Sequence, residues 1–163
     1  MPSSDLVVSD TSPLLNLALI DQLDLLRAQF SGISIPDQVW GELTEGDAGL
    51  NALRELRDEG FLNVVEVERS DLFIEILRQL DRGETAAICY AIGQDAELIL
   101  LDEKEGRRVA RDHGLTVTGV IGVLLKGANA GNVDLERELA ALREAGFWIS
   151  DALYSQVLKN AEK

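Results

Sequence analysis

Cysteine and histidine are almost absent from this 163-residue chain, which holds one of each, Cys89 and His113. A lone thiol forms no internal disulfide, and one cysteine with one histidine builds no zinc cluster. The fold must stand on its apolar core, and a reducing, cytoplasmic location is the expectation. Three prolines exclude a collagen-like repeat. Aromatic residues make up 5% of the chain. Trp40, Tyr90, Trp148 and Tyr154 are too scattered to suggest a base-stacking platform, so core or interface packing is expected of them. No apolar run approaches the roughly 18–20 residues that span a bilayer, and Met1 to Asp5 lacks the basic residues of a signal peptide. Neither membrane insertion nor secretion is therefore expected. Basic charge is also in deficit, with 15 lysines and arginines against 29 acids and a formal net charge of −14. That balance repels polyanions from the surface as a whole. Contact with nucleic acid would need a local basic patch, a metal or a basic partner.

What the chain does have is apolar material, 46% of its residues, enough for one domain over residues 1–163. The pattern alternates short apolar runs with helical segments. Strands are expected at Leu6–Val8, Ile33–Ile35, Leu62–Val67, Leu98–Leu101 and Leu115–Val117. A helical region runs from Ser12, a capping hydroxyl, and Pro13 at the first helical position to about Phe30, interrupted at Asp21 and Gln22. Further helices are expected from Pro36-Asp37 to Leu43, over 48–58 and 72–80, over a nearly uncharged and therefore buried segment from Thr85 to Ile92, and from Lys104 to His113. One more runs from Gly119 to Ala130, and a helical pair covers about 134–161. This order predicts an α/β fold, a three-layer α/β/α sandwich with a central, mostly parallel sheet.

In such sheets ligands bind outside the carboxyl ends of the strands. Four acids interrupt or end apolar segments: Asp10, Glu42, Glu84 and Asp102. Brought together, they would repel one another unless protonated or neutralised by a cation. Oxygen donors without histidine or thiolate favour magnesium or manganese over zinc. Singly, each acid reads equally well as a helix cap or a partner of a helix dipole. Glu42, in mid-helix, is the weakest of the four. Ser12 or Thr11 could support Asp10 by hydrogen bonding, and Thr118 could contact phosphate, although Ser12 and Thr118 also read as helix caps. Lys104, Arg107, Arg108 and Arg111 share a helix face by their spacing and form the candidate phosphate-positioning surface, with a merely solvated face as the bland alternative. His113 reads as a partner of the last carbonyls of its helix, and Cys89 as a small buried residue rather than a nucleophile. A two-histidine ribonuclease is excluded, a serine hydrolase is disfavoured, and no glycine-rich nucleotide cradle is present.

Three segments together, Ser9-Asp10-Thr11-Ser12-Pro13, Gly83-Glu84-Thr85-Ala86-Ala87-Ile88 and Leu98-Ile99-Leu100-Leu101-Asp102, resemble the motifs of PIN-domain ribonucleases. With Val117-Thr118-Gly119, Gly146-Phe147 and Tyr154, the likeness extends to an uncharacterised PIN-related group and covers nearly the whole chain. The resemblance implies a magnesium- or manganese-dependent endoribonuclease acting on RNA, often the toxin half of a pair with a cognate antitoxin. It places Asp10, Glu42, Glu84 and Asp102 as the four acids of that site. The chain departs from the group after Asp102, where a second aspartate followed by Arg-Lys is usual and Glu103-Lys104-Glu105 stands here. That departure, with the net charge, motivates the alternative of a catalytically inactive PIN-fold module for protein association or nucleic-acid binding. A homodimer is also expected, through the Leu-rich first helix and small-residue surfaces near Ala128 and Ala130.

Overall fold

The computed structural model describes residues 5–161. Residues 1–4, on which part of the leader argument rests, and 162–163 lie outside the described residues. Five strands form one sheet, β1 (Val7–Ser9), β2 (Ile33–Pro36), β3 (Leu62–Val65), β4 (Leu98–Leu100) and β5 (Val117–Thr118), in the order β3-β2-β1-β4-β5. Every ladder is parallel. Because consecutive strands run in the same direction, each connection must return over a face of the sheet, and helices make those returns. They are α1 (Thr11–Leu19), α2 (Asp24–Gln29), α3 (Asp37–Glu45), α4 (Leu50–Asp58), α5 (Asp71–Leu77), α6 (Arg82–Gly93) and α7 (Lys104–Asp112), while α8 (Val120–Asn129), α9 (Leu135–Glu144) and α10 (Asp151–Ala161) follow the last strand.

Two apolar layers sandwich the sheet. One packs Leu14, Leu17, Ile35, Val39, Leu53, Leu124 and Leu139 with the helices that carry them; the other packs Val8, Ile88, Ile99, Leu101 and Ala110. Alternate residues of the central strands β1 and β4 enter opposite layers, Val7 and Leu100 one and Val8 and Ile99 the other, as a pleated strand covered on both faces requires. The segment from Thr85 to Ala91 supplies α6 with the small and apolar side chains that let it lie close against the sheet, and it is buried from Gly83 to Ile88.

Several local expectations change. The first helical region is two helices, because the chain turns after Leu19: the Asp21 N–H donates to the Ala18 carbonyl at 3.1 Å and that of Gln22 to Leu17 at 2.8 Å. Asp21 takes a positive φ of 57°, which aspartate tolerates better than most residues. α1 begins at Thr11 rather than after Ser12, so Asp10 occupies the cap position and Ser12 lies inside the first turn. β3 stops at Val65, and β5 is shifted to Val117–Thr118. Trp148 is not a core residue: it is 82% exposed, whereas Trp40, Tyr90 and Tyr154 are half-buried. No described helix is long and apolar enough to cross a membrane.

Candidate metal centre at the carboxyl ends of the strands

β1 is followed in the chain by β2 on one side but pairs with β4 on the other, so the sheet changes its winding direction between β1 and β4. The diverging connections open a crevice there. Ser9 pairs with Leu100, and the Asp10 N–H continues the ladder by donating to the Leu100 carbonyl at 3.1 Å. Asp10 and Asp102 therefore leave neighbouring strands at this same end, as their places after apolar runs suggest.

The two aspartates are handled differently. Asp10 is 5% exposed. Burial pushes its carboxyl up to about 7, against the partial relief of the Thr11 backbone N–H and with added repulsion from Asp81, Glu42 and Glu103. Asp102 is also raised by burial, but it accepts hydrogen bonds from the Val120 N–H at 2.8 Å and from Asn16 Nδ2 at 3.2 Å. Its carboxylate thus satisfies an orphan donor at the start of α8 from another part of the chain. The cap expected of Thr118 is absent; its hydroxyl lies instead where a Cβ on Gly122 would fall.

Glu84 stands in the first turn of α6. Asp81 caps that helix by accepting from the Glu84 N–H at 2.8 Å. The Glu84 side chain is 3% exposed, and its Oε2 is buried without a hydrogen-bond partner. Burial first, then the charges of Asp81, Glu103 and Asp10 and a side-chain hydrogen bond with Asp81, lift its carboxyl to about 8. Glu42, on α3, accepts from Thr11 Oγ1 at 2.9 Å and is raised by partial burial, with Asp81, Glu45 and Glu103 adding repulsion. Thr11 therefore supports Glu42 rather than Asp10 by its side chain.

Glycines make room for this crowding. A Cβ on Gly83 would collide with Glu42 Oε1 and lie 3.3 Å from Asp10 Oδ1, so both carboxylates rest on the same backbone turn. A Cβ on Gly106 would fall 2.5 Å from Glu84 Oε2, and one on Gly119 would collide with Asp102 Oδ1. Four carboxylates are thus seated against the opening turns of α6, α7 and α8, where helix dipoles favour negative charge.

The four basic residues of α7 sit in different surroundings. Arg108 is held by Glu105, Asp112 and Gln79, each at 3.1 Å. Arg107 is half-buried and turns toward Asp102, which partly offsets the lowering of its pKa by burial and by Arg111. Lys104 and Arg111 are exposed and make no ion pair with a described residue. His113 Nδ1 meets the Val109 carbonyl at 2.9 Å, as its place at a helix end suggests. Cys89 is half-buried, and burial pushes its thiol up to about 11, which leaves it a poor nucleophile.

Residues 6–163 match the model of a family described as PIN domain, DUF3368. The chain is a PIN-domain protein. The all-parallel five-stranded sheet between helical layers is consistent with the PIN-like sandwich. PIN domains are generally nucleases, and their nucleases typically use divalent metals. No curated protein matches the chain.

The donor set of this PIN domain suits a hard divalent cation. It consists of carboxylate oxygens held in a buried crevice, one of them orphaned, with protons taken up near neutral pH because burial and then mutual repulsion disfavour the charged forms. Among the described residues, however, no three carboxylate, imidazole or thiolate groups are spaced to hold one ion together. The expected meeting of four acids is realised as a chain of neighbours from Glu42 through Asp10 to Glu84, with Asp102 turned to the start of α8. Asp81, Glu103 and Asn16 join the site; Glu103 was noted in the sequence only as a departure, and the other two were missed. Those two had signals. Asp81 precedes Glu84 by three residues, the spacing of a capping box, and Asn16 is the one polar residue between Leu14 and Leu19.

Proposed function

We propose that the chain is a divalent-metal-dependent endoribonuclease that cuts single-stranded RNA. The observation that carries this reading is the buried Glu84 carboxylate with its unpartnered Oε2, set beside Asp10 in a crevice where no described lysine or arginine pairs with either acid. Leaving such groups unneutralised is costly to the fold, and a cation-dependent function accounts for the cost. Asp10, Glu84 and Asp102 would hold the ion, with Glu42 completing the set. When bound, a divalent ion supplies acidification of a water and stabilisation of charge on the attacking and leaving phosphate oxygens. The protein's own contribution is to fix the acids: Thr11 orients Glu42, Asn16 and the Val120 N–H orient Asp102, and Asp81 braces Glu84. Arg107, with Lys104 and Arg111 free beside it, faces the phosphate backbone.

The test is cleavage of an unstructured oligoribonucleotide by the purified protein in magnesium or manganese. Cleavage should stop with chelator and in Asp10→Asn, whose circular dichroism should match the parent. Equal cleavage by Asp10→Asn and the parent would refute the reading. In its finer form the chain is the toxin of a toxin–antitoxin pair; toxicity on expression, relieved by the product of an adjacent reading frame, tests that.

A second reading, a non-catalytic module of the same fold, is favoured by the lack of a three-acid ligand set among the described residues and by Glu103-Lys104-Glu105 after Asp102. It predicts no shift in melting temperature on adding magnesium or manganese and no RNA turnover.

A further inference from the structure

Beside Asp102 the crevice opens into a groove of about 370 Å³, walled by Ser12, Asn16, Asp102 and Glu103 on one side and by Gly146 and Trp148 on the other. Trp148 is the most exposed large apolar side chain described, at 82%. The backbone on either side of it is nevertheless anchored. Gly146, at φ 103°, turns the chain out of α9, and the Phe147 N–H returns to the Leu142 carbonyl at 2.9 Å. Phe147 packs against the core and Ile149 is buried, so Trp148 stands outward between two anchored neighbours. Arg143, stacked on the Tyr154 ring, donates to the Ile149 carbonyl at 2.9 Å and locks the far side of the loop. A flat aromatic face is thus presented from a fixed backbone, next to carboxylates that belong to the proposed cleavage site.

We propose that this groove binds one unpaired nucleobase of the RNA strand, stacked on the Trp148 indole. The inference rests on the nuclease reading and adds to it the subsite next to the scissile phosphate. The chemistry of the walls selects the occupant. An apolar side chain from a partner protein would cover the indole but strip water from Asp102 and Glu103 without returning hydrogen bonds. A nucleobase offers a π-face to the indole and an edge with N–H donors to the carboxylates, the Asn16 amide and the Ser12 hydroxyl. Bases inside a duplex cannot reach such a platform, so the groove predicts a preference for single strands. Asp102 lines both groove and cleavage site, which makes the two continuous along one strand.

The experiment measures binding of a labelled, unstructured oligoribonucleotide in magnesium, in the Asp10→Asn background where the strand stays intact, and cleavage kinetics in the parent background. Because Trp148 is exposed, Trp148→Ala should fold as the parent does. It should weaken binding by about 10- to 100-fold, while Trp148→Phe keeps most of the affinity. In cleavage the loss should fall on KM more than on kcat. Scanning an abasic nucleotide along the strand should find one position where the parent loses the same factor and Trp148→Ala loses nothing more. Unchanged affinity in Trp148→Ala, with the parent still cutting RNA, would overturn the groove proposal and leave the nuclease reading standing. A parent that neither binds nor cuts RNA removes both. A change in oligomeric mass on Trp148→Ala with unchanged RNA affinity would assign the surface to protein association and also overturn the proposal.

Discussion

On the outer face of α7, Arg108 lies between Glu105 and Asp112 at 3.1 Å from each, in the open. At the start of α6, a short way along the same crevice wall, Asp10, Asp81 and Glu84 crowd one another with no described basic residue paired to any of them. The residue types are the same, and the outcomes are opposite. Exposed charges are neutralised locally by whichever long side chain is in reach, at little gain in stability. Buried ones at the strand ends are left in conflict, and the conflict is resolved by proton uptake near neutral pH. Charge conflict kept inside an otherwise well-packed fold marks where selection acted on something other than stability.

The sharpest way to break that contrast is to remove one acid from the buried group. Glu84→Gln should lower RNA cleavage by at least about 100-fold, yet raise the melting temperature at pH 8, since it deletes a charge that the fold strains to hold. A fall in both would mean that Glu84 serves the fold as a partner of the α6 dipole. Gly106→Ala tests the same region without touching charge. Its Cβ would fall 2.5 Å from Glu84 Oε2, and Glu84, buried, has little room to retreat. The expected cost is about 1–3 kcal/mol in urea denaturation, with loss of cleavage.

The pH dependence of stability follows from the raised carboxyls. The folded protein holds protons on Asp10 to about pH 7 and on Glu84 to about pH 8, whereas the unfolded chain releases them near their ordinary values of 3.8 and 4.5. Over that interval the folded state binds more protons, so stability falls as pH rises from about 4 to about 8. Thermal melts should show this decline, flattened by millimolar magnesium or manganese; a melting temperature that rises over the interval would contradict the direction of both shifts. Asn16→Ala should cost about 10- to 100-fold in cleavage by freeing Asp102 Oδ2, with cleavage kinetics as the readout. Smallest of all, Arg108→Ala should change unfolding free energy by less than about 0.5 kcal/mol, measured by the same denaturation, because its partners are solvated.

Asp10 and Asp102 were legible in the sequence because each ends an apolar strand run, and a parallel sheet sends all its strand ends to one side. Glu84 was legible from its isolation at the head of a small-residue helix. The difference between the two aspartates was not. Asp102 is satisfied by Asn16, 86 residues away along the chain, and by the first N–H of α8, while among the described residues the Asp10 carboxylate has only its neighbour's N–H. Equally hidden was the division of the α7 cations, since Arg107 and Arg108 have the same chemistry and adjacent places, and only packing against Gly119 and Asp102 separates them. Trp148 was expected to pack in the core or at an interface, and its exposure in the chain depends on how Phe147 and Ile149 anchor the loop on either side.

The sequence by itself determined the alternation of strand and helix, the parallel sheet and the end of it that carries the acids, because hydrophobic periodicity and chain direction are local properties that a parallel topology turns into position. Only the tertiary structure decided which acids are left unsatisfied, which arginine faces them and which aromatic stands free beside them. Those outcomes depend on distances between segments far apart in the chain, where a few tenths of a nanometre separate a paired carboxylate from a buried one left without a partner.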